Sequence, residues 1–227
     1  MCNFKENYEI LLSKERLSSY DNDIEAHFRN LKIIALVTPK LATLEICLRN
    51  LCDYLLCEKL GENWLIDIDD EIIQKELIKI CDKEGLEDLN GLTRHQYISR
   101  LTLGVFVRII KKYALQNLIF DLREMNFKHY DRSNRNFCFI KGKKTKISNY
   151  DKVDIVLSLF QTIRNRSFHW ENLMKIRNND GKIFPRLTTK KYETIIGIAP
   201  QNIQAFLNDL LDNINKDLIE NCEIKLK

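Results

Sequence analysis

The sequence predicts an all-α fold, and three observations predict it. Seven Gly and three Pro in 227 residues supply too few turn residues for an all-β chain or a Gly-looped nucleotide binder. Leu41, Leu44, Leu48, Leu51, Leu55 and Leu56 recur at the short intervals that put apolar side chains on one helix face. Cap-forming Ser, Thr, Asp and Asn stand in front of the apolar-periodic segments, and Gly stands behind several of them.

Taken in order, Phe4 to Leu17 carries apolar residues at helical intervals and stops near Ser18-Ser19-Tyr20. Asp21-Asn22-Asp23 offers N-caps for a helix through Leu36. Pro39 should kink that helix or begin a new one, which ends at Gly61. Trp64-Leu65-Ile66 should pack back on the helices. Asp67 to Asp70 resembles a metal-binding acid cluster but also suits caps and first-turn acids of a helix over 71–83, closed by Gly85. A further helix starts at Thr93 and runs through Ile110, with Gly104 marking a close helix contact. Leu115 to Met125 leads into a basic loop near 126–149. Ser148-Asn149-Tyr150-Asp151 caps a helix through Ile163. Asp180-Gly181 reads as a turn, Pro185 with Thr188-Thr189 as a loop or short extended piece, and 201–221 as a closing amphipathic helix. No linker and no repeat interrupts the chain, so residues 1–227 read as a single helical domain.

Composition narrows the class further. Apolar residues at 44% and charged residues at 30% describe a folded soluble chain, not a disordered one. No apolar run approaches the ~18–20 residues of a membrane span. Met1-Cys2-Asn3-Phe4-Lys5-Glu6 lacks the apolar core of a secretory signal. Seven Cys without CxxC spacing, several among Leu, read as small core residues of a reducing, cytoplasmic protein; no metal and no cofactor is expected.

The net charge of +4 conceals an uneven distribution. Residues 58–88 hold eleven acids and four bases, and residues 123–146 hold eight bases and two acids. In the basic stretch Lys141, Lys143, Lys144 and Lys146 follow Phe127, Tyr130, Phe137 and Phe139. Cations track a phosphate backbone and rings stack on unpaired bases, so this stretch is a candidate RNA-binding segment. It also reads as a solvated loop.

The most chemically loaded segment is Ile163-Arg164-Asn165-Arg166-Ser167-Phe168-His169-Trp170. Arg164 brings a planar fork of donors for a phosphate, and His169 a proton carrier near neutral pH. Those groups are what metal-free cleavage of a phosphodiester needs. Arg123 and His129 form a second Arg–His pair of similar spacing, and a His between Phe and Trp also fits a core imidazole. On an unbroken helix Arg164 and His169 sit about 140° apart, whereas Asn165 and His169 share a face. Either the helix is interrupted near Arg166-Ser167 or the site draws on more than one chain. Attack by a ribose 2′-hydroxyl wants one proton acceptor and one donor, and the motif holds one His. A two-fold dimer would supply both.

Glu45 and Arg49 lie four residues apart on a strongly apolar helix, which predicts a partly buried pair kept for orientation. With these residues the chain resembles the Abi-like (abortive infection) family, which is similar to the HEPN superfamily of helical nucleases. The resemblance rests on four short segments in order: Leu12-Ser13-Lys14-Glu15-Arg16-Leu17, Leu44-Glu45-Ile46-Cys47-Leu48-Arg49-Asn50, Gly61-Glu62-Asn63-Trp64, and Ile163-Arg164-Asn165 with His169. It implies a HEPN-like helical bundle, a homodimer, and metal-independent RNase activity in phage defence or toxin–antitoxin control, with an antitoxin or small-RNA inhibitor as a possible partner. The family's Arg–His signature, often with Asn after the Arg, maps onto Arg164, Asn165 and His169; Arg123/His129 lacks that Asn. Glu45 and Arg49 become supporting residues. Where relatives often carry a second His, this chain has Trp170. The rival expectations are a non-catalytic RNA-binding or antitoxin-like protein and a pure interaction partner.

Overall fold

The computed structural model describes residues 4–179 and 181–223. Met1-Cys2-Asn3 of the N-terminal segment and Asp180 of the expected turn lie outside the described residues. Helices dominate, as the sequence predicts, but among the described residues six short strands in three antiparallel pairs join them. The chain runs through α1 (Tyr8–Leu12), α2 (Lys14–Ser18), α3 (Ile24–Leu60), α4 (Glu71–Glu84), α5 (Arg94–Arg100), α6 (Leu103–Lys112) and α7 (Gln116–Ile119). The hairpin of β1 (Phe137–Ile140) and β2 (Lys143–Lys146) follows, and then α8 (Asn149–Phe168). Two more hairpins pair β3 (Ile176–Asn179) with β4 (Lys182–Pro185), and β5 (Leu187–Lys191) with β6 (Thr194–Ile198). The helices α9 (Ile203–Asn215) and α10 (Asp217–Asn221) complete the course.

Several boundaries follow the capping chemistry. Asp23 accepts the Ala26 N–H at 3.0 Å. Asp70 accepts those of Ile72 and Ile73, so it is an N-cap of α4, and it also pairs with Arg108 at 2.9 Å. Thr93 and Gln96 form a reciprocal capping box on α5. Gly61 and Gly85 take positive φ behind α3 and α4. Other boundaries differ from expectation. The first predicted helix is broken at Ser13, whose φ is +63° and whose hydroxyl caps α2. Pro39 sits inside a continuous α3. The predicted helix from Thr93 to Ile110 is divided at Leu101-Thr102 into α5 and α6.

The chain forms two compact units, residues 44–121 and residues 1–43 with 122–227. In the first, Leu44, Leu48, Cys52 and Leu56 of α3 contribute a fully buried face, joined by Trp64, Leu65, Ile73, Leu77, Tyr97, Phe106 and Ile109. Trp64 donates its indole N–H to Asp53 at 2.9 Å. In the second, α8 lies on the β5–β6 hairpin, and β6 also meets β1 and β4. Val153, Val156, Phe160 and Ile163 of α8, Leu187, Ile196 and Ile198 of the hairpin, and Phe206 and Leu210 of α9 are all buried. Lys191 at the end of β5 bridges Asp151 and Asp154 at 3.0 and 2.7 Å. Each described Cys is a free thiol, four of them buried.

Candidate functional site

Ser148 begins α8 by accepting the Asp151 N–H at 3.1 Å, and the helix then turns most of its middle residues into the core. The burial ends near Ile163. Asn165, Phe168 and His169 are exposed and Arg164 is half-buried. The helix is unbroken through Phe168, and His169 is its C-cap, donating its N–H to the Asn165 carbonyl at 3.0 Å. Of the two alternatives that the spacing left open, an interruption near Arg166-Ser167 is therefore absent. Arg164 and His169 stay about 140° apart, but Phe168 and Asn165 occupy the arc between them at about 40° and 100°. The Arg164 guanidinium lies 4.8 Å from the Phe168 ring centroid and donates to the Asn165 side-chain oxygen at 3.4 Å. Arg164, Phe168, Asn165 and His169 thus form one continuous stripe.

A Schellman turn fixes the end of that stripe. Trp170 donates to the Ser167 carbonyl and Glu171 to that of Arg166, with Trp170 in the left-handed region at φ +56°. Glycine normally fills this position because a Cβ costs energy there. Here the turn is held from outside. Arg16 donates to the Trp170 carbonyl at 2.7 Å. The fully buried Asn30 amide donates to the Glu171 carbonyl at 3.0 Å and accepts the Leu173 N–H at 2.8 Å. Asn172 donates to the Ser19 carbonyl at 2.7 Å. Arg16 and Asn30 thus hold the backbone of the turn that follows His169. Sequence reasoning assigned neither that role. Asn30 left a trace, as a polar residue in the apolar register of Ile34, Val37 and Leu41 on α3.

The basic segment is organised as a β-hairpin rather than a loop. Lys141 and Gly142 take φ of +49° and +76°, the signs that a tight type I′ turn requires. The register pairs Phe137 with Lys146 and Phe139 with Lys144, so these four share a face, while Cys138, Thr145, Ile140 and Lys143 share the other. On the first face Lys144 lies 4.2 Å and the Arg135 guanidinium 5.6 Å from the Phe137 ring. Phe139 meets Phe137 edge-on at 5.6 Å. On the second face Cys138 is buried. Of the four lysines expected to bind RNA, Lys144 and Lys146 join the aromatic face, Lys143 points the other way and Lys141 sits in the turn. All four are exposed.

The segment feeding this hairpin is pinned by a residue the sequence did not reveal. Lys152 is 3% exposed and donates to the carbonyls of Leu122, Arg123 and Met125 at 2.7–2.9 Å. Burial, then Lys146, pushes its pKa down from 10.5. Its signal in the sequence was weak: a cation one residue before Val153 at the head of an apolar helix.

Glu45 and Arg49 form the expected partly buried ion pair, with side chains 11% and 13% exposed. Arg49 also donates to the carbonyls of Ile98 and Leu101, the ends left open by the division of α5 from α6, and stacks 4.9 Å from the Phe106 ring. Its visible task is to cap a helix end within residues 44–121. The second Arg–His pair is of another kind: Arg123 lies in irregular chain and His129 ends a 3-10 helix, Phe127–His129. Among the described residues no group of three or more His, Cys, Asp or Glu is placed to hold a metal ion, and no helix is long and apolar enough to cross a membrane. No protein-family model, no curated protein and no solved structure matches the chain.

Proposed function

We propose that this protein is an Abi-like endoribonuclease of HEPN-like helical architecture, cutting RNA through its own 2′-hydroxyl at a site completed by a second copy of the chain. One observation carries the reading: a cation, an amide and an imidazole form a continuous stripe at the end of α8, held by a turn that Arg16 and Asn30 lock. In this reading Arg164 neutralises the scissile phosphate, Asn165 orients it, and His169 exchanges the proton. The chemistry balances without a metal. One imidazole takes the 2′-hydroxyl proton as that oxygen bonds to phosphorus, and the other gives a proton to the departing 5′-oxygen. The products carry a 2′,3′-cyclic phosphate and a 5′-hydroxyl. Two His169 side chains, one from each protomer, supply the two roles.

The expected outcome is that His169→Ala abolishes cleavage of single-stranded RNA while circular dichroism and dimer mass stay unchanged, and that EDTA leaves the wild-type rate intact. Undiminished cleavage by the variant would overturn the assignment. A second reading is favoured by the hairpin face of Arg135, Phe137, Phe139, Lys144 and Lys146: an RNA-binding protein without catalysis, antitoxin-like in role. It would bind RNA in a salt-dependent way and release no cyclic phosphate. A role in phage defence or toxin control, with an inhibitor restraining the activity, fits an RNA-cutting centre that a cell must hold in check.

A further inference from the structure

Beside the hairpin face is a cleft of about 400 Å³, within the size range of small-molecule sites. Three stretches of chain build it. Arg177 of β3 and Phe184 of β4 are direct cross-strand partners, so they present to one face of that hairpin. Arg135 enters from the segment before β1, and Glu193 and Thr194 stand at the start of β6. The floor is stiff. The buried Asn134 side chain accepts the Gly197 N–H at 2.8 Å and donates to the Gly197 carbonyl at 2.7 Å. It also donates to the Phe127 carbonyl at 2.8 Å. A Cβ at Gly197 would fall 2.5 Å from Pro185, so glycine lets the cleft walls close.

The lining has the chemistry of a nucleotide site. Among the described residues neither Arg135 nor Arg177 has a carboxylate within ion-pair distance, whereas their neighbours Arg166 and Arg186 both pair with Glu171, at 2.6 and 3.5 Å. Two guanidinium groups outside ion-pair distance of any described carboxylate thus line one cleft with a phenyl ring and the carboxylate of Glu193. Thr194 is 5% exposed, and its hydroxyl has no hydrogen-bond partner among the described residues. Glu193 at the rim offers only acceptors, which suit ribose hydroxyls or a base amino group.

We propose that this cleft binds a nucleoside monophosphate, with Arg135 and Arg177 on the phosphate and Phe184 against the base. The same chemistry is offered by a free nucleotide and by the phosphorylated end of an RNA strand. Because Arg135 also stacks on Phe137, a strand lying on the hairpin face reaches the cleft through that residue. The inference stands apart from cleavage, since none of its residues lies on the α8 stripe.

Calorimetric titration of the full-length protein tests it, using AMP, GMP, CMP and UMP, adenosine, inorganic phosphate, and 2′-O-methyl hexauridylate, which the 2′-hydroxyl route cannot cut, with and without a terminal phosphate. The expected result is saturable one-to-one binding of at least one nucleoside monophosphate or of the phosphorylated hexamer, weakened at least about tenfold by Arg177→Ala and by Phe184→Ala. Adenosine and inorganic phosphate should each bind at least about tenfold more weakly than the best nucleotide. Binding by the monophosphates identifies the free nucleotide. Binding by the phosphorylated hexamer alone identifies the strand end. No binding by either, or equal binding by properly folded variants, overturns the proposal. Should an alanine variant lose its circular dichroism, Arg177→Lys and Phe184→Leu take its place under the same criterion. His169→Ala should leave nucleotide binding intact, so the failure of this proposal and the failure of the ribonuclease assignment are separable.

Discussion

Trp170 and His27 show what single residues contribute. Trp170 is 54% exposed and left-handed, so its ring contributes little packing while its Cβ carries the strain. Trp170→Gly should raise unfolding stability by about 1 kcal/mol, as read by urea denaturation. If the same change lowers RNA affinity, the ring is a stacking surface; a loss of stability would show that the ring packs after all. His27 is 3% exposed, and its Nδ1 has no partner among the described residues. Burial first, and then the Arg16 charge, lowers its pKa below the usual 6.5. The unfolded chain therefore binds a proton where the folded chain does not. The stability that depends on neutral His27 is complete above pH 6.5 and is lost as the pH falls below it. His27→Phe should flatten the stability–pH profile below 6.5; an unchanged slope would assign that slope to other groups.

At the scale of elements, the hairpin of β1 and β2 makes a quantitative statement. Lys144 and Lys146 share the face of Phe137 and Phe139, whereas Lys143 lies on the face of the buried Cys138. Replacing Lys144 and Lys146 together by Ala should weaken RNA binding and reduce the slope of log affinity against log salt by about 1 per lysine. Lys143→Ala should change the slope less, and equal effects would remove the distinction between the faces. Helix starts were legible because capping is local: Asp70, Thr93 and Ser148 each bond to an N–H two or three residues on. Strands were not. Lys141-Gly142 lacks the usual Asn-Gly or Asp-Gly signature, and the lysines of β2 hid a short alternating pattern inside a charge run. The division at Leu101-Thr102 was equally hidden, because the apolar periodicity continues across it. Its open carbonyls are met by Arg49, about fifty residues earlier in the chain.

For the whole molecule, the proposed chemistry makes activity a property of the dimer. One His169 per chain supplies one proton-transfer group, and cleavage by this route uses two. Specific activity should therefore fall on dilution, with the same midpoint as dimer dissociation measured by analytical ultracentrifugation. A monomer that cuts at the full rate would overturn the composite site. Mixed dimers of wild type and His169→Ala should show whether both imidazoles are needed.

The sequence by itself determined the helical character, most helix starts, and the set Arg164, Asn165 and His169 at one helix end. Periodicity and capping act over a few residues, so they are written locally. Only the tertiary structure decided that α8 continues unbroken to Phe168 and that Trp170 turns left-handed under the hold of Arg16 and Asn30. It also decided which lysines share a face with aromatic rings, and that Arg135 and Arg177 line one cleft. Those outcomes depend on strand register and on hydrogen bonds between residues more than a hundred positions apart in chain, which no local pattern encodes.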